Sequence, residues 1–146
     1  MAYYEKKYGL RISVLPAPLE QIVAQAFNEK RGQYAAEEIA KILGQAAVAF
    51  EPDSTLIALM EDDLYIREYN WQYALGYRSG GRAVISSARM SDTPGDDERR
   101  KMRLRRMVTK YIGVLHYRLP MSSNCRSPVF SQIGGPQALD FMEEDL

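Results

Sequence analysis

The chain is poor in the residues from which most reactive centres are built. Its 146 residues include one histidine, one cysteine and one tryptophan. A lone cysteine, Cys125, excludes an internal disulfide and a multi-thiolate metal site within one chain, and it fits a reducing compartment. Net charge is also missing: nineteen basic and nineteen acidic residues cancel. Nothing therefore pulls the whole molecule toward nucleic acid or anionic lipid. No apolar run approaches the roughly 18 residues of a membrane span, and residues 1–9 lack the apolar core of a signal peptide. No glycine-rich phosphate loop and no internal repeat occur. The expectation is a soluble, cytoplasmic protein, with no membrane and no nucleic-acid partner.

What remains is ordinary globular material. Apolar residues make up 46% and charged residues 26% of the chain, enough for one domain over residues 1–146 with a real core. Leu10, Ile12 and Val14 alternate with polar residues and predict a short strand ended by Pro16. Residues 17–28 are compatible with a helix. Gln33–Val48 predicts a firmer one, with Ala35, Ile39, Ile42, Leu43 and Ala46 at three- and four-residue spacing. Leu56–Met60 is an apolar run bounded by turn residues, the pattern of a strand buried on both faces. The carboxylates of Glu61, Asp62 and Asp63 follow it without the glycine or spaced acids of a calcium loop, so they read as a solvated turn.

Tyr69–Arg78 and Arg82–Ala88 flank Ser79-Gly80-Gly81 and predict a hairpin, since glycine supplies the positive φ of a tight turn. Trp71 and Tyr73 are expected to pack on one face of it. Ser91–Asp97 is linker-like. Asp96, Asp97 and Glu98 suit the positive end of a helix dipole. The helix they open carries Leu104, Val108, Tyr111 and Leu115 as a core-facing stripe and is stopped by Pro120. Seven of the twelve residues Arg99–Lys110 are basic. Without interleaved aromatics, that run reads as a solvated helix face, not a phosphate-binding one. A short last helix begins at Pro136.

Several of these stretches resemble one family. Leu56-Ile57-Ala58-Leu59, Asp62-Asp63-Leu64-Tyr65-Ile66, Asn70-Trp71 and Gly81–Met90 are similar to the central part of the archaemetzincins, zinc metallopeptidases of metzincin type. The likeness covers about residues 55–90 and extends to the order of elements. It implies an α+β fold: a mixed, mostly parallel sheet of four strands packed against helices, in a metzincin-like catalytic domain. The family's chemistry resides in H-E-x-x-H-x-x-G-x-x-H-C, in which two histidines one turn apart and a third beyond a glycine hold zinc. The glutamate polarises the metal-bound water.

Laid on this helix, the motif places Thr109 and Gly113 at the two helical histidines and Lys110 at the glutamate. His116 falls at the glycine, Leu119 at the third histidine and Pro120 at the cysteine, while Cys125 lands on the family's next cysteine. Sliding the motif by one residue recovers no ligand, and the later C-x-x-C does not occur. The resemblance therefore implies a diverged member with no cofactor, in which a peptide or protein binds in the former protease cleft. Its candidate binding residues are Thr109, Gly113, His116 and Trp71. Lys110 and His116 are the candidates for any residual chemistry. The alternative is an active hydrolase, zinc-dependent if so, with an unorthodox site around His116, Lys110 and Cys125, in which His116 and Cys125 are the fallback ligands. A basic-helix module for nucleic acid or an acidic partner is a third reading. Ser86, Ser87 and Ser122 are not paired by sequence with His116 in any nucleophile arrangement. His116 and Cys125 themselves also read simply as a helix-end histidine and a loop cysteine.

Overall fold

The computed structural model describes residues 1–15 and 23–146. Its regular elements are α1 (Ala2–Tyr8), β1 (Phe27–Asn28), β2 (Gln33–Ala35), α2 (Ala36–Ala46), β3 (Leu56–Met60), β4 (Leu64–Tyr65), β5 (Gly76–Ser79), β6 (Arg82–Ser86) and α3 (Asp97–Tyr111). A π-helical turn, Ile112–His116, prolongs α3, and a 3-10 segment, Pro136–Phe141, follows later. The class is α+β, as expected. No helix among the described residues is long and apolar enough to cross a membrane.

The sheet differs from the expected one. Two three-stranded sheets form, in the orders β1-β2-β4 and β3-β6-β5. Each combines one parallel pair (β2–β4, β3–β6) with one antiparallel pair (β1–β2, β5–β6). A bridge between Leu64 and Ala74 joins them, with Ala74 N–H donating to the Leu64 carbonyl at 2.8 Å. Residues Leu10–Leu15 form no strand. Leu10 and Ile12 lie against the core without pairing as a strand, the Ile12 N–H donates to the Glu5 carboxylate at 3.2 Å, and Val14 is exposed. Half of the expected helix over residues 17–28, residues 17–22, lies outside the described residues. Its described part is a 3-10 turn, Val23–Ala26, running into β1. The helix expected from Gln33 starts three residues later, since Gln33–Ala35 pairs with both β1 and β4.

The strand buried on both faces is β6, not β3. Ala83, Val84 and Ile85 are all fully buried, whereas Leu59 on the edge strand β3 is 41% exposed. Period-two alternation sends Ala83 and Ile85 into a cluster with Met107, Val108, Tyr111 and Ile112 of the long helix. Val84 goes the other way, into a cluster with Ala36 and Ile39 of α2. The central sheet is thus clamped between α2 and α3. The larger of these aliphatic side chains, such as Val84, Ile85 and Ile39, each contribute about 1.5–3 kcal/mol by leaving water. Gly76 lets β5 approach α3 closely: a Cβ built there would lie 2.6 Å from Tyr111 Oη and 2.7 Å from Met107 Cε. The hairpin forms at the expected turn, with Ser79 opposite Arg82 and Gly80 at φ +61°, but its first strand begins at Gly76, not Tyr69, and its second ends at Ser86, not Ala88.

The stripe Leu104, Val108, Tyr111 and Leu115 faces the core as anticipated. The basic residues of α3 are not simply a solvated face. Arg103 is completely buried and holds Asp140 through Nε (2.8 Å) and Nη2 (2.7 Å), and Asp92 through Nη1 (2.8 Å). Its Nη1 also donates to the Met90 carbonyl at 3.0 Å, and Arg106 donates to the Leu139 carbonyl at 2.7 Å. These arginines pin the 3-10 segment to α3. The helix is already over when Pro120 is reached: Arg118 turns the chain at φ +57°, and Leu119 N–H donates to the Gly113 carbonyl at 3.0 Å.

Candidate functional site

The C-terminal half of α3 is where a metzincin would carry its metal, and it presents two different faces. On the first, Thr109 and Gly113 stand one turn apart, as the motif demands. Both are sealed. Thr109 is 3% exposed, and its Oγ1 lies 3.0 Å from the Tyr4 hydroxyl, which donates to the Arg105 carbonyl at 2.9 Å. Burial raises the Tyr4 pKa above its ordinary value, with Thr109 opposing, so the phenol stays neutral. A Cβ on Gly113 would meet Leu146 Cδ2 at 2.7 Å and Val129 Cγ1 at 2.9 Å. The space of a histidine pair is therefore filled by a tyrosine from α1 and by aliphatic side chains. α1 is held there by its own contacts: Lys7 and Tyr3 bind Asp145, and the Tyr8 hydroxyl accepts from Leu146 N–H at 3.2 Å.

These residues do not fit zinc. Threonine, glycine and leucine at the ligand positions offer no imidazole, and an alkyl lining has no lone pair to give. Among the described residues, no group of three or more His, Cys, Asp or Glu side chains is placed to hold a metal. His116 is exposed whereas Thr109, seven residues earlier, is buried, so the two do not line one open surface as their spacing had suggested. The intervening π turn, marked by Tyr117 N–H donating to the Ile112 carbonyl at 3.2 Å, advances each residue by less than the α-helical angle. His116 is left exposed, its ring edge-on to Tyr117 at 4.9 Å. Leu119 and Cys125 are exposed as well.

The second face is chemically more interesting. Lys110 is 7% exposed and has no hydrogen-bond or ion-pair partner among the described residues, although its ammonium is not sealed from water. Burial first, and then the nearby Arg78 charge, push its pKa down to about 8. Tyr111 beside it is pushed upward by burial and stays neutral. Arg78 belongs to β5, is exposed, and has no carboxylate partner among the described residues. It lies two residues beyond Gly76, hence on the same face of the strand, the one turned to α3.

β5 also has an open edge. Ser86 N–H donates to the Leu75 carbonyl, and Ser79 faces Arg82 across the turn, so residues 75, 77 and 79 direct their backbone groups to β6. Ala74, 76 and 78 point outward. Ala74 is taken by Leu64, while Gly76 and Arg78 have no backbone partner on that side among the described residues. The sequence reading named Lys110 but missed Arg78, whose only signal was its place one residue before a hairpin turn. Trp71 does not pack with Tyr73. It stacks on Tyr69, with centroids 4.5 Å apart and both rings about half exposed. Tyr73 instead lies under the Arg89 guanidinium at 4.7 Å.

No protein-family model and no curated protein sequence matches this chain. Solved structures do match in fold. An archaemetzincin from Archaeoglobus fulgidus, complexed with malonate, superposes with a TM-score of 0.74 at 23% identity, covering 99% of this chain and 82% of that one. An archaemetzincin from Methanopyrus kandleri gives 0.64 at 21% identity, over 83% of this chain and 63% of that one. A zinc-dependent peptidase from Methanocorpusculum labreanum gives 0.67 at 16% identity, over 92% and 78%. The chain has the fold of the archaemetzincins, with the ligand positions of their motif, as laid on this sequence, occupied by residues that cannot ligate.

Proposed function

We propose that this protein is a metal-free counterpart of the archaemetzincin peptidases that binds an extended peptide or protein segment without cleaving it. The observation that carries the reading is the outer edge of β5. Its Gly76 and Arg78 backbone groups have no partner on that side among the described residues, and strand addition gains its hydrogen bonds from the main chain without any metal. Gly76, lacking a side chain, keeps the floor of the groove against α3. Nucleic acid is not the partner in this reading, because Arg103 and Arg106 of the basic helix are engaged within the fold.

Titration of 15N-labelled protein with a library of acetylated, amidated hexapeptides should move the Gly76 and Arg78 amide resonances first. Shifts confined to other surfaces, or none at millimolar peptide, would overturn the proposal. Zinc supplies an independent check. Protein dialysed against excess zinc should retain well under one equivalent and melt at an unchanged temperature, since a ligand bound only by the native state must raise stability. One tightly held equivalent, lost in His116→Ala, would instead support a working metallopeptidase.

A further inference from the structure

Two cations flank the outer edge of β5 on the side of α3. Lys110 from α3 and Arg78 from β5 border the open edge of the strand, and neither has an acidic partner among the described residues. Elsewhere in the molecule the arginines of the same helix are matched: Arg99 with Asp92, Arg100 with Glu61, Arg103 with Asp92 and Asp140, Arg105 with Glu144. Other cations, Lys101 of the same helix among them, also lack a carboxylate partner among the described residues, but they are exposed or half-buried; Lys110 alone of these is buried, and it has a second cation beside it. A buried ammonium beside a guanidinium is costly in the empty protein, because burial and repulsion both act against it. An oxyanion placed between them relieves both at once. The guanidinium offers a planar fork for two oxygens, while the ammonium supplies a point charge from the helix side.

From this juxtaposition we propose that Lys110 and Arg78 form an anion subsite, selecting extended peptides that carry an oxyanionic side chain where the added strand passes Arg78. The inference rests on the strand-addition reading and names its substrate class. The shared chemistry is an oxyanion, whether an Asp or Glu carboxylate or a phosphoserine. Both belong to one kind of partner, an acidic peptide. The hydrogen bonds formed are charge-assisted on both sides, and their location in a partly desolvated groove strengthens them. Backbone pairing along Gly76 and Arg78 sets the register, and the anion sets which sequence is accepted.

The test uses the full chain, labelled with 13Cε-lysine and 15N, and three otherwise identical acetylated hexapeptides bearing Asn, Asp or phosphoserine at one central position. The Asp or phosphoserine peptide should bind at least roughly tenfold more tightly than the Asn peptide, as expected for a charged hydrogen bond made or lost. It should move the Lys110 13Cε resonance together with the Gly76 and Arg78 amides. In Arg78→Met and in Lys110→Met the preference should vanish, while the weaker binding of the Asn peptide persists. Tighter binding of phosphoserine than Asp assigns the phosphate source, and the reverse order assigns the carboxylate. Equal affinities for Asn, Asp and phosphoserine, with edge amides still shifting, would overturn the anion subsite and leave strand addition standing. A shifted Lys110 resonance with unmoved edge amides would overturn strand addition and leave the subsite. Silence at both would overturn both.

Discussion

Lys110→Met should make the protein more stable at neutral pH, by about 2 kcal/mol. A lysine whose pKa falls from 10.5 to about 8 on folding carries a penalty of about 3 kcal/mol, and access of water to the ammonium reduces what its removal returns. The pH dependence identifies the cause. Between about pH 8 and 10.5 the unfolded chain holds the lysine proton and the folded chain has released it. The unfolded state then binds more protons, so stability must rise with pH across this window. Below about pH 8 both states are charged and the penalty is constant. Tyr4 and Tyr111, both raised by burial, act in the opposite sense above about pH 10, so the rise is cleanest between 8 and 10. Urea unfolding of the native protein and the variant at half-unit steps measures it. The difference between the two should shrink as pH climbs from 8. A variant less stable than the native protein, or a difference independent of pH, would mean that Lys110 is not a strained residue. Residues kept against stability are often kept for binding.

Arg103→Met should act the other way, costing about 3 kcal/mol, in the range for removal of one partner from a buried ion pair. Methionine preserves much of the length of the stem but leaves the Met90 carbonyl and the Asp140 carboxylate without the donor they share, and leaves Asp92 with Arg99 alone. The arginine holds both carboxyls below the ordinary aspartate value of 3.8. A carboxyl depressed by folding contributes stability that is complete above its unfolded pKa and is lost as pH falls through the folded one. The gap between native protein and variant should therefore be widest above about pH 5 and close below about pH 4. Thermal melts in the two ranges decide it. A gap that persists undiminished at pH 2 would assign the loss to packing. Asp140→Asn, which keeps the shape and weakens the charge, should fall between the two.

The difference between these two cations was not legible in the sequence. Arg103 and Lys110 stand seven residues apart in one basic run, and the run looked like a solvated face. Arg103 became structural because Asp92 and Asp140 come to it from 11 and 37 residues away. Nothing local encodes those distances. What could be read was what repeats: the core stripe of α3, the acids at its start, and the Gly80-Gly81 turn. The short strands β1, β2 and β4 could not be read, since two or three residues carry no period. Gln33–Ala35 merged with the helix pattern that follows, because no capping side chain marks the boundary at Ala35. At the site, the absence of histidines from the positions of the zinc motif laid on the sequence was visible by position alone. That Tyr4 and Leu146 fill the vacated space was not, since the contacts join segments that only the fold brings together.

Gly76 gives the groove a property that no side chain could. Only a hydrogen atom stands between the Gly76 backbone and the tips of Tyr111 and Met107, so the strand rests directly on the side chains that α3 sends toward it. The two elements carrying Arg78 and Lys110 are in this sense the jaws of a caliper closed to its stop. Their separation is set by contact of the Gly76 backbone with the ends of the Tyr111 and Met107 side chains. A residue larger than glycine would force those ends aside or move the strand, and the spacing of the two cations would change with it.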